Sequence, residues 1–186
     1  MTRTIIYLHG FASSPQSKKA GIFRAPLEAR GVNYLVPDLN VPDFEHLTLT
    51  AILQRIDETV QSTAERNGEI DLIGSSLGGL TALHYCDRYQ NDSAAHVKRI
   101  VMLAPGLDFF TNREKQMGSG WEERWRTAGS QPFYNYQYHE ERLVHFGLVD
   151  DLRQYNSFAV HVPQPILIYH GIHDTTVDYQ QSVKFA

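Results

Sequence analysis

The stretch Ile70-Asp71-Leu72-Ile73-Gly74-Ser75-Ser76-Leu77-Gly78-Gly79-Leu80 changes character in its middle. Ile70 to Ile73 is a short, mostly apolar run that reads as a strand. From Ser76 to about Tyr89, Leu77, Leu80 and Leu83 recur at helical spacing along one side. The join, Gly74-Ser75-Ser76-Leu77-Gly78, matches G-x-S-x-G. A strand that turns into a helix so abruptly forces strained dihedrals on its apex residue, Ser76. Small residues two positions before and two after let the turn close. The Ser76 hydroxyl then stands clear at the carboxyl end of a sheet, against a helix N-terminus that favours developing negative charge. This is the setting of a nucleophile. The same letters also suit a glycine-rich loop that packs a helix onto a strand, or a phosphate cradle. Neither G-x-x-x-x-G-K-[ST] nor G-x-G-x-x-G occurs, which weakens nucleotide readings.

Outward from this turn, four more apolar runs punctuate the chain: Thr4 to Leu8, Tyr34 to Val36, Ile100 to Leu103 and Ile166 to Tyr169. They are mostly continuous rather than alternating, as expected of parallel strands covered on both faces. Helical patterns lie between them. Leu49, Ile52, Leu53, Ile56 and Val60 follow i, i+3, i+4, i+7, i+11, with Gly68 placed to end the helix. A weaker pattern runs from Ser17 to Arg30, where Pro26 would kink or restart it. Alternating strand and helix predicts an α/β class with a mostly parallel sheet between helices. The alternation stops from Asp108 to Val162, a stretch holding Trp121, Trp125, Phe133, Tyr134, Tyr136 and Tyr138. It is too long for an ordinary connection and too aromatic for disorder. It reads as a mostly helical insertion, a lid or cap over one end of the sheet within a single domain of residues 1–186.

Two further motifs sit at strand ends. His9-Gly10-Phe11 directly follows the first strand. A tetrahedral acyl-transfer intermediate needs two preset N–H donors around its oxyanion. The backbones of Phe11 and of Leu77, the residue after the nucleophile, are the natural pair. His9 reads as a loop-holding histidine rather than a base. His170-Gly171-Ile172-His173-Asp174 follows the last strand, and an acid there would orient a catalytic histidine. Asp174 is the best candidate, Asp178 the second and Asp108 the third. His170, His173 and Asp174 also resemble a zinc donor set, but adjacent residues on an irregular loop seldom point at one ion. Neither metal nor cofactor is expected. Phe11, Phe109, Phe110, Trp121 and Trp125 could line an apolar acyl pocket. Equally, Trp121 and Trp125, at i and i+4, could anchor one helix face. Glu122-Glu123 and Asp150-Asp151 read as solvated surface.

Composition narrows the function classes. The 186 residues carry 21 acidic and 17 basic side chains, a formal charge of −4, without a Lys/Arg cluster. Neither a nucleic-acid nor an anionic-membrane footprint is expected. No apolar run approaches the roughly 18 residues of a membrane span. One cysteine, Cys86, allows no internal disulfide. With a strand-like run starting at once and no room for a signal peptide, a cytoplasmic protein is expected.

With its three motifs in this order, the sequence resembles the α/β-hydrolase fold and, more narrowly, small bacterial esterases of the YqiA type. IIYLHGFASSPQSKKA, IGSSLGG and HGIHDTTVDYQQSV carry the likeness. The resemblance implies a Ser–Asp–His triad with Ser76 as nucleophile and Asp174 as acid. It also implies an oxyanion hole at Phe11 and Leu77, short-chain acyl ester substrates and no cofactor; a thioesterase is the open variant of that reading.

One feature departs from that pattern. Chain order in this fold is Ser, Asp, His, yet no histidine follows Asp174. The helix-like pattern ending on Val183-Lys184-Phe185-Ala186 without a cap predicts the front part of a longer chain. The base, a last strand and a last helix would lie in its continuation. The alternatives are a histidine elsewhere, in the loops of His9, His170 and His173 or in the insertion, or a non-catalytic ligand-binding or scaffold protein on the same fold. His84, eight residues along the helix from Ser76, would be about 12 Å away.

Overall fold

The computed structural model describes residues 3–65 and 68–186. Five parallel strands form the central sheet in the order β2-β1-β3-β4-β7: β1 (Arg3–Leu8), β2 (Asn33–Leu35), β3 (Glu69–Ser75), β4 (Val97–Leu103) and β7 (Ile166–Tyr169). Each coincides with one of the apolar runs. Alternation along β1 divides the core between the two faces. Ile6 and Leu8 join the large cluster with α2 (Leu49–Ala64) and α3 (Leu77–Arg88). Ile5 and Tyr7 meet Ala20 of α1 (Lys18–Glu28) and Tyr34 on the other face. Helices on both faces of a parallel sheet give the expected α/β class.

The helix expected from the Leu49 spacing is present, and the residues that defined it are its buried face. Leu49, Ile52, Leu53, Ile56 and Val60 are each at most 1% exposed. Burying a side chain of this size contributes about 1.5–3 kcal/mol over leaving it in water. Thr48 caps α2, its side chain accepting from the Ala51 amide. The helix closes at Ala64, before Gly68, so the glycine marks the following loop rather than the cap. Pro26 sits in the last turn of α1, which runs past it by only two residues. Proline has no N–H to donate to the Ile22 carbonyl, and the helix ends soon after that lost bond.

Asp108 to Val162 departs from the helical expectation. It holds α4 (Phe109–Met117), α5 (Trp121–Ala128) and α6 (Gly147–Leu152). Between α5 and α6 it also holds an antiparallel hairpin, β5 (Ser130–Asn135) with β6 (Glu140–His145). Phe133 and Tyr134, expected within a mostly helical insertion, instead serve a two-stranded ladder. The insertion is tied down at several points. Tyr136 N–H donates to the Ala12 carbonyl (2.9 Å) and His145 N–H to the Glu45 carbonyl (2.7 Å). Asp151 had read as solvated, but it accepts from the Thr50 amide (2.9 Å) and hydroxyl (2.6 Å) at the start of α2. Glu122 pairs with Arg126 and Arg153. The last helix, α7 (Gln180–Phe185), follows the loop after β7. No helix among the described residues is long and apolar enough to cross a membrane.

Candidate active site

Ser76 occupies the turn between β3 and α3 with φ 53° and ψ −113°. A non-glycine residue at positive φ outside the left-handed basin stores of the order of 1–3 kcal/mol, held only by its surroundings. Those surroundings are specific. Ser76 N–H donates to the Leu103 carbonyl at the end of β4 (3.0 Å). The Ser76 carbonyl accepts from the amides of Gly79, Leu80 and Gly106 (3.0, 3.2 and 3.2 Å). The flanking glycines are steric necessities: a Cβ on Gly74 would lie 2.2 Å from the Gly78 carbonyl oxygen.

The first-strand loop arrives on the other side of Ser76. A Cβ built on Gly10 would stand 3.6 Å from Ser76 Cβ, so the loop runs close beside the turn. Among the described residues, neither the Phe11 amide nor the Leu77 amide hydrogen-bonds another protein group. Leu77 is the first residue of α3, where an amide has no intrahelical acceptor. His9 holds this loop. Its Nε2 accepts from the Leu39 amide (3.0 Å) and its Nδ1 donates to the Gly10 carbonyl (3.0 Å). Buried and bonded at both nitrogens, it is a structural residue, as read from the sequence.

Asp174 is locked by its own loop. Oδ1 accepts from the amides of Thr176 (2.8 Å) and Val177 (2.9 Å), while Oδ2 accepts no hydrogen bond from a described residue. His170 fastens the same loop from beneath. Its Nε2 donates to the Val177 carbonyl (3.0 Å) and its Nδ1 accepts from the Ser182 hydroxyl (2.7 Å). The other two acid candidates are engaged elsewhere. Asp108 caps α4 through the Thr111 amide and hydroxyl (3.0 and 2.8 Å). Asp178 pairs with Lys115 (2.6 Å), which holds its carboxyl below the usual range. His173 is exposed, and no described histidine hydrogen-bonds the Ser76 hydroxyl. His84 is buried against Ser157 and Tyr155. Desolvation lowers it to about 4, so it is neutral at physiological pH.

A cavity of about 300 Å³ opens at Ser76 and brings the three motifs together: Phe11, Ser76 and Leu77, and Thr176 and Val177 of the Asp174 loop. Phe109 and Phe133 of the insertion complete its apolar wall. Trp121 and Trp125 are not in that wall. They pack behind it, ring to ring at 6.1 Å, and Trp125 Nε1 donates to the Val144 carbonyl (2.9 Å). Of the two uses weighed for these tryptophans, the structure places them as anchors. A second cavity, about 650 Å³, reaches Ser76 from the α1 side past Lys19 and His139. Lys19 Nζ donates to the Ser75 hydroxyl there (3.2 Å).

Three residues near Ser76 escaped the sequence reading. Asn112 and Gln181 exchange side-chain hydrogen bonds (2.6 and 3.3 Å) and fix α4 against α7. Arg113 enters the 300 Å³ cavity with its guanidinium 4.9, 5.1 and 5.0 Å from the ring centres of Phe11, Phe109 and Phe133. Desolvation there lowers its pKa to about 10, which leaves it a cation at neutral pH. The i, i+4 spacing of Phe109 and Arg113 was the one available signal that both lie on one helix face.

Comparison with known proteins agrees with this architecture. Residues 4–186 match the uncharacterised protein family UPF0227. Among solved structures, one from Agrobacterium vitis S4, provisionally assigned as a hydrolase, superposes with a TM-score of 0.79 at 24% identity. The match covers 98% of this chain and 73% of that one. Alpha/beta hydrolase domain-containing protein 10 from mouse gives 0.77 at 18% identity, over 100% and 75%. Est1E from Butyrivibrio proteoclasticus, with ferulic acid bound, gives 0.75 at 20% identity, over 98% and 74%. Among curated proteins, none matches the chain.

Proposed function

The chain belongs to the UPF0227 family and has the α/β-hydrolase fold, and from that premise we propose that it is a serine hydrolase of short-chain carboxylic esters or thioesters, acting through an acyl-enzyme on Ser76. One observation carries the reading: a strained serine at a strand-to-helix turn beside two amides, Phe11 and Leu77, that have no acceptor among the described residues. Ser76 Oγ attacks the carbonyl carbon while its proton passes to an imidazole base. The carbonyl π electrons move onto oxygen, where the two amides stabilise the charge. The alkoxide or thiolate leaves with the proton, and water, deprotonated by the same base, releases the acid. Asp174 Oδ2 supplies the acceptor that orients this base, because Oδ1 is already saturated by Thr176 and Val177. A small-molecule acyl ester fits the apolar walls of Phe11 and Phe109. A cytoplasmic location belongs to the same proposal, supported by a lone buried cysteine.

One observation favours a second reading, a ligand-binding protein on a hydrolase fold: the Ser76 hydroxyl has no histidine partner among the described residues. Hydrolysis of p-nitrophenyl butyrate separates the two. The hydrolase reading expects turnover that falls about a hundredfold or more in Ser76→Ala. Equal rates in both proteins would leave only the binding reading.

A further inference from the structure

Among the described residues, Arg113 is the one charged side chain in the wall of the 300 Å³ cavity at Ser76; Lys18 and Lys19 line the other, larger cavity on the α1 side. No described carboxylate lies within salt-bridge distance of Arg113, and its single side-chain partner is the neutral amide of Gln116 (2.7 Å). Every other arginine on the insertion contacts a carboxylate or a backbone carbonyl: Arg124 caps the Ser119 and Met117 carbonyls, while Arg126, Arg142 and Arg153 pair with glutamates. Arg113 is half-buried, and even partial desolvation of a guanidinium without a counter-ion is costly. The faces of Phe11, Phe109 and Phe133 offset part of that cost by cation–π attraction. Apart from the N–H given to Gln116, the remaining N–H groups can meet a planar anion, which a guanidinium grips in two-point fashion.

We propose that Arg113 is a specificity residue that selects substrates whose acyl part ends in a carboxylate, the ester carbonyl lying at Ser76 and the anion at the guanidinium. This rests on the hydrolase reading and deepens it by naming the substrate class. The purely structural alternative is that Arg113 only fills space between three rings. Phe11 belongs to both arrangements, so loss of the guanidinium would then disturb neutral and anionic substrates alike.

The test compares monomethyl adipate with its neutral isostere methyl adipamate on the whole chain, by calorimetric titration and by methanol release. Wild type should bind the anionic ester about tenfold or more tightly than the amide, the scale of one charge-assisted hydrogen bond. Arg113→Gln should abolish that ratio. Arg113→Lys keeps the charge and the apolar stem, so it should retain part of it even if the glutamine variant folds poorly. Equal binding of both probes by wild type would overturn the proposal, as would a ratio unchanged in both variants. Selective binding without turnover would sustain the anion site and contradict the hydrolase reading. Turnover without charge preference would do the reverse.

Discussion

Gly78, the second residue of α3, lies so close to the end of β1 that a Cβ there would stand 2.0 Å from the Leu8 carbonyl oxygen. The Ser76 turn is thus built by close approach of two backbones, with His9, Gly10 and Phe11 continuing directly from that carbonyl. Neither backbone can retreat easily, since Leu8 pairs within the sheet and Gly78 begins a buried helix.

Gly78→Ala should therefore be far worse than an ordinary helix glycine replacement, which gains stability by raising helix propensity. A loss of about 3 kcal/mol or more is expected, in the range of severe overpacking. Gly21→Ala is the control, because a Cβ there meets nothing within 4 Å. It should be neutral or slightly stabilising. Urea denaturation of both variants checks the contrast.

Acid should destabilise the protein through His84. Its folded pKa, lowered to about 4, lies below the ordinary value of 6.5. The unfolded chain therefore binds a proton that the folded chain refuses. That stability is fully present above about pH 6.5, falls as pH drops from there towards 4, and is on the order of 3 kcal/mol. His84→Asn should flatten this part of the profile. Urea midpoints at pH 7.5 and pH 5 measure it, and an equal slope in both proteins would remove His84 as the cause.

Oδ2 of Asp174, which accepts no hydrogen bond from a described residue and has His170 Nε2 3.9 Å away, yields a prediction about the base. If Asp174 orients the base, added imidazole should accelerate acylation of Ser76 by p-nitrophenyl butyrate. Asp174→Ala should reduce the acceleration by about tenfold or more. Asp178→Asn, which breaks only the contact with Lys115 on the surface, should leave it within about twofold. Burst amplitudes with and without imidazole give the comparison. Equal effects of the two substitutions would dissociate Asp174 from the site.

Much of this arrangement was legible in the sequence because it is local. The G-x-S-x-G turn, the Leu49 helix and the His9 loop are each written within a dozen residues, and their backbone consequences follow from sterics and period. What escaped is non-local. Phe133 could not be assigned to a hairpin until its partner Arg142 was seen opposite it. Asp151 reads as a surface acid until α2 is brought to it. Trp121 and Trp125 carry the same pattern whether they line a pocket or stand behind one. Arg113 is the sharpest case, since an arginine on a short helix is ordinarily solvated and only three aromatics from three separate segments make it otherwise.

The nucleophile assignment of Ser76 is tested most directly by the intact mass of the protein after treatment with a fluorophosphonate in the presence of imidazole. One adduct per chain, absent in Ser76→Ala and mapped to Ser76 by peptide sequencing, is the expected result. An unmodified wild type, or an adduct that persists in Ser76→Ala, would contradict it.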